Sequence, residues 1–147
     1  MIEKVTTPKK LKVPEKLKKL VIDCVRRHAW NIGVSHYVGD ILWMEEDKKS
    51  DDRGDSSIHG EMTTDRRYLK GTIKIYPAAI KAWEMDGNPT IEELISHEVA
   101  HLATQHLYDI ATARYCDDGE MKDAWETLTT IVGRLSLKLD RELKKKP

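Results

Sequence analysis

The residues with the clearest chemistry are His97-Glu98-Val99-Ala100-His101, an H-E-x-x-H pattern inside a stretch that reads as one helix. Helix positions i and i+4 lie one above the other on the same face, so both imidazoles can reach one metal ion. Glu98, about 100° round the helix, then leans over the remaining coordination position. Two imidazoles suit a zinc ion, and a carboxylate beside the open position suits a general base acting on water. Metal-assisted hydrolysis is the chemistry this spacing predicts.

The local context supports a helix. Thr90-Ile91-Glu92-Glu93 has the form of a capping box, in which the Thr90 hydroxyl accepts from the Glu93 N–H and the Glu93 carboxylate reaches back. Gly87-Asn88-Pro89 ahead of it reads as a loop. Ile91, Ile95, Val99 and Leu102 fall on one apolar stripe, and the two histidines flank that stripe as a pair.

A catalytic zinc takes three protein ligands and keeps one position open. His106 would project nearly opposite His97 on a continued helix and reads as a histidine at a core edge or helix end. Asp117 and Asp118, in Cys116-Asp117-Asp118-Gly119, read as the opening of the next helix, where acidic side chains favour the positive end of the dipole. Glu126 is the better candidate. It lies on a helix expected from about Glu120 to Leu143, off the apolar stripe of Met121, Ala124, Trp125, Leu128, Val132, Leu135 and Leu139. It shares a second, charge-poor face with Thr129, Thr130, Gly133 and Leu137, where Gly133 permits close approach of another helix. A helix with two such faces is expected to be sandwiched, so Glu126 points at protein. A buried carboxylate needs a partner, and a zinc ion on the neighbouring helix supplies one.

Together, His97, Glu98 and His101 and the later segment Trp125-Glu126-Thr127-Leu128-Thr129-Thr130-Ile131-Val132-Gly133 resemble the gluzincins. These are zinc peptidases typified by thermolysin, in which H-E-x-x-H is followed by a glutamate on a later helix. The likeness covers about residues 70–140, and the length suggests the minimal, single-domain (minigluzincin-like) form. The family often has an aspartate four residues after the ligand, orienting a zinc-bound histidine; Thr130 stands there. The resemblance implies one Zn2+ per chain held by His97, His101 and Glu126, Glu98 as the base, and a peptide or protein substrate lying along an edge strand. Thr72-Ile73-Lys74-Ile75-Tyr76 ends at Pro77, as suits a sheet edge, and is assigned that part; an ordinary hairpin strand is the alternative. Tyr108, Arg114, Tyr115 and His59 are candidates for a second oxyanion donor.

Other elements must position these residues. Residues 1–13 look loosely held. Pro14 to about Ala29 reads as an amphipathic helix with Leu17, Leu20, Val21, Cys24 and Val25 on one face. Trp30 to Val38 alternates and predicts a strand; Gly39-Asp40 is a turn, and Ile41 to Glu45 a second strand. Residues 46–56 read as a polar, mobile loop. Ile58 to Thr63 and Gly71 to Tyr76 read as further strands. The fold predicted is α+β: an N-terminal helix, a small, mostly antiparallel twisted sheet of about three to five strands with an edge strand beside the active-site helix, then the H-E-x-x-H helix and a C-terminal glutamate helix. One domain is expected over residues 14–143, between a flexible basic segment (1–13) and a basic tail (144–147).

Composition narrows the partners. Charged residues make up 34% of the 147 and balance to zero, so no strong field points to nucleic acid or an anionic membrane. Residues 1–19 carry seven lysines against Glu3 and Glu15, and Lys144-Lys145-Lys146 stand just before the final Pro147; both read as solvated surface. No apolar run approaches the ~20 residues of a membrane span, and no apolar segment of export type follows Met1. A cytoplasmic monomer is expected. Cys24 and Cys116 are too few for a disulfide framework, and Cys24 belongs to the core face of its helix. Two alternative functions stand beside the peptidase: an H-E-x-x-H protease acting on DNA-associated proteins with another histidine as third ligand, and a metal-binding interaction module without activity.

Overall fold

The computed structural model describes residues 2, 4–8, 10–50, 57–65, 70–112 and 118–145, with the side chains of 65, 106, 107, 109–112, 118 and 120 excepted. Arg114, Tyr115, Cys116 and Asp117, and the side chains of His106 and Asp118, therefore lie outside the described residues, as does the 51–56 part of the expected loop.

The first helix, α1 (Glu15–Asn31), buries Leu17, Val21, Cys24, Val25, His28 and Ala29. It runs two residues beyond Ala29 and ends at Gly33, whose φ of 75° a side chain would resist. Val34 N–H bonds Ala29 O at 2.8 Å and Gly33 N–H bonds Trp30 O at 3.1 Å, the pairing of a Schellman motif with glycine at C′. The expected strand over Trp30 to Val38 does not form, because its apolar alternation is spent on this helix end. Trp30 is left 79% exposed on the last turn.

The strands follow the helices that connect them. The chain gives β1 (Lys4–Thr6), β2 (Val38–Trp43), a hairpin of β3 (Lys48–Lys49) and β4 (Ser57–Ile58), then β5 (Gly60–Asp65) and β6 (Lys70–Ile75). Among the described residues the main sheet has the order β1-β2-β6-β5. Within this sheet β1 and β2 are parallel, β2 and β6 are parallel, and β5 and β6 are antiparallel. The sheet is thus mixed, not mostly antiparallel. α1 forms the crossover between β1 and β2, and a helical crossover returns the chain in the same direction. Within the N-terminal segment, Lys4–Thr6 pairs with Asp40–Leu42, and Val13 is buried in the core.

A second correction concerns Thr72, Ile73, Lys74, Ile75 and Tyr76. They do not form a sheet edge, because β6 is paired on both sides, by β2 and β5, and Ile73 and Ile75 are fully buried. Pro77 marks something else: it is the first residue of α2 (Pro77–Asp86), where its missing N–H costs no bond. The Asp47 carboxylate accepts from Ala78 N–H at 2.6 Å and caps that helix from a distant part of the chain. Among the described residues the strand beyond β6, at that end of the sheet, is β5.

Gly87, at φ 80°, separates α2 from α3 (Asn88–Thr112). α3 buries Ile91, Ile95 and Val99 against α1 and the sheet, within a core that includes Leu17, Val21, Val25, Ile41, Trp43, Ile73 and Ile75. Its opposite face meets α4 (Asp118–Lys144). α4 packs the other way round from its apolar pattern. Thr129, Gly133, Ser136, Leu137 and Asp140 face inward, while Leu128, Ile131, Leu135, Leu139 and Leu143 are exposed. The expected sandwich is absent among the described residues. None of the helices there is long and apolar enough to cross a membrane.

Candidate metal centre

His97 and His101 stand one turn apart on α3, their rings 4.8 Å apart and perpendicular. Glu126 reaches them from α4. Its carboxylate lies 3.4 Å from His97 Nε2 and 3.8 Å from His101 Nε2, one oxygen toward each ring. The ligand atoms of these three residues lie within 4.8 Å of one another, a group that could hold a metal ion. Tetrahedral zinc, with bonds of about 2.0–2.1 Å, sets its ligand atoms about 3.3 Å apart. The two imidazole–carboxylate separations are close to that spacing, and two nitrogens with one carboxylate oxygen match a zinc donor set. The residues fit the ion.

The close approach has a local cause. A Cβ built on Gly133 would come 3.2 Å from both His97 Cα and Ser96 O. With no side chain there, α4 rests directly on the α3 backbone at the residue that begins the motif.

His101 is held by hydrogen bonds that lead away from the centre. Its Nδ1 lies 3.3 Å from Thr129 Oγ1, which lies 2.7 Å from Thr104 Oγ1. Thr104 Oγ1 also accepts from Trp125 Nε1–H at 2.9 Å, and can donate to the carbonyl oxygens of Ala100 at 3.3 Å and His101 at 3.4 Å. With the Thr104 proton on those carbonyls, Thr129 donates to Thr104 and must accept from His101 Nδ1–H. That tautomer leaves Nε2 free as a lone-pair donor facing Glu126. The Trp125 ring packs 4.6 Å from His101, with Tyr108 behind it at 4.5 Å. Where the resemblance has an aspartate, Thr130 makes no hydrogen bond to either histidine among the described residues; the contact to His101 comes from its neighbour Thr129.

The charges match this arrangement. Burial lowers the His101 pKa to about 4, against the pull of Glu126, so the imidazole is neutral near pH 7. The hydrogen bond from His97 holds the Glu126 carboxyl below its ordinary range, and His101 adds to this.

Glu98 is not one of the three grouped ligands and lies against β5. It is 5% exposed, and burial pushes its pKa up to about 7, against the influence of His97 and a hydrogen bond from Met62 N–H. Met62 lies on β5, so the sheet edge touches the carboxylate through its backbone. At Gly60 on the same strand, a Cβ would press on Leu94 Cδ1 at 3.0 Å and Glu98 Cγ at 3.4 Å.

His97, His101 and Glu126 thus come together, with Glu98 buried beside them against β5, whereas Thr72 to Tyr76 do not border the centre as an edge. His59 is exposed, and its carbonyl accepts from Tyr76 N–H at 3.0 Å; Tyr108 serves packing against Trp125. The sequence reading missed Met62, Thr104 and the role of Thr129. Thr104 and Thr129 each lie three residues beyond a ligand on the same helix face, a detectable spacing. A backbone amide such as that of Met62 leaves no trace in residue type. Comparison with known proteins returns no matching family model, no matching curated protein and no matching solved structure.

Proposed function

We propose that the protein is a zinc-dependent peptidase in which His97, His101 and Glu126 hold the ion and Glu98 is the general base. The observation that carries this reading is the convergence of a carboxylate from a second helix on both imidazoles of the H-E-x-x-H turn. When bound there, zinc supplies a Lewis acid that polarises a carbonyl and makes water more acidic. Glu98 takes the proton of the attacking water on its carboxylate and later delivers it to the leaving amine. Burial tunes it for this task, since a base works best with a pKa near the working pH. The Met62 N–H fixes one side of that carboxylate. An extended peptide would align along β5, the edge strand nearest α3, through backbone pairing.

Metal content and hydrolysis together test the reading. Purified wild-type protein and Glu98→Gln should each carry one zinc by mass spectrometry, whereas Glu126→Ala should be depleted. Zinc-loaded wild type should digest a peptide library in a chelator-sensitive manner, and Glu98→Gln should be at least about 100-fold slower. Full zinc occupancy in Glu126→Ala would remove the third ligand, and a zinc-loaded wild type without hydrolysis would remove the enzyme.

A further inference from the structure

A groove of about 770 Å³ opens beside His97 and runs between α3 and the C-terminal half of α4. We infer that it binds an acidic stretch of the substrate chain, a proposal that rests on the peptidase reading for the position of the bond cleaved.

The charges of its walls give the reason. The groove is lined by the cations Arg134, Lys138, Arg141, Lys144 and Lys145 and by the anions Glu93 and Glu142. Both anions are matched within the wall: Glu93 lies 4.0 Å from Arg141, and Glu142 lies 2.8 Å from Lys145. Lys144 is committed to Asp140 at 2.9 Å and Glu92 at 3.4 Å. Arg134 and Lys138 remain exposed, and neither pairs with a carboxylate among the described residues. Their surplus charge faces the groove.

Their placement sets a register. Glu126, Thr130, Arg134 and Lys138 recur every four residues and follow one ridge of α4 away from the metal centre. At 1.5 Å per residue, Arg134 and Lys138 stand about 12 and 18 Å along the helix from Glu126. An extended peptide advances about 3.3 Å per residue. Acidic side chains about four to six positions from the scissile bond, on one side of it, would therefore meet the two cations. A nucleic acid fits less well, because a phosphate at every step would also meet Glu93 and Glu142.

The test is binding, measured on full-length Glu98→Gln so that no peptide is consumed. A fluorescein-labelled ten-residue peptide with two glutamates near one end is compared by anisotropy with its glutamine twin. The glutamate peptide should bind at least tenfold tighter and weaken with salt. Arg134→Glu/Lys138→Glu should abolish the difference while keeping its melting temperature, since both side chains are exposed. Equal binding of the two peptides, or an unchanged preference in the double variant, would overturn the assignment. Displacement of the peptide by a single-stranded oligonucleotide of equal charge at lower concentration would overturn it in favour of nucleic acid. Selective binding without hydrolysis by zinc-loaded wild type would leave the groove assigned and reject the peptidase.

Discussion

His101 can serve as a ligand only if Nε2 carries no proton, and Thr129 is the residue that decides this. Its hydroxyl sits between His101 Nδ1 and Thr104, with Thr104 anchored in turn by Trp125 and the α3 backbone. Thr129→Val keeps the shape and removes the acceptor, so zinc affinity should fall by about 10- to 100-fold, with Thr129→Ser restoring most of it. Competition against a chromophoric chelator reads this directly; an affinity equal to wild type in the valine variant would deny Thr129 its role. The residue types at the centre were legible in the sequence, because metal ligation and general-base chemistry demand particular side chains at particular helical spacings. The second layer was only half legible. A threonine matters here through its hydrogen bonds, and those depend on which neighbour the fold brings within hydrogen-bonding distance.

Helix α4 separates what pattern can and cannot say about an element. Its apolar repeat pointed to Leu128, Leu135 and Leu139 as the buried stripe, yet these are exposed and the face bearing Thr129, Gly133 and Ser136 is buried. Packing followed the face that offered close approach and hydrogen bonds to α3 and α1. Ser136 bonds His28 at 2.7 Å, and Asp140 pairs with Arg27 at 3.0 Å. Two substitutions on this helix should therefore behave against expectation from hydrophobicity. Leu135→Ser should change stability by no more than about 0.5 kcal/mol, as an exposed site does. Gly133→Val should cost about 1–3 kcal/mol by overpacking against the His97 backbone. It should also weaken zinc binding, because it lifts Glu126 off the two histidines. Denaturant melts of the metal-free proteins, followed by zinc titration, separate the two effects; equal melts would place the helix contact elsewhere.

At the scale of the molecule, the ends of α1, α3 and α4 are tied by charge around one neutral histidine. His28 is fully buried, and Asp140, Arg27, Glu92 and Lys144 surround it electrostatically. Burial lowers its pKa from 6.5 to about 4, with Asp140 and Glu92 opposing and Arg27 and Lys144 reinforcing. The folded value lies below the unfolded one, so the neutral ring contributes stability in full above pH 6.5. That contribution is lost as pH falls through about 4. The melting temperature of the metal-free protein should drop across this window, and His28→Gln should flatten the drop; an unchanged slope in the variant would assign the acid sensitivity to other groups, His101 among them. The sequence by itself determined the α+β composition, the H-E-x-x-H turn and the glutamate to look for, because each is written in local periodicity or in residue chemistry. Only the tertiary structure decided that the sheet is mixed, that β5 and not Thr72–Tyr76 forms the edge, and which face of α4 turns inward. Those choices depend on which backbones lie side by side, and strand order and helix facing are set by contacts between residues far apart in the chain.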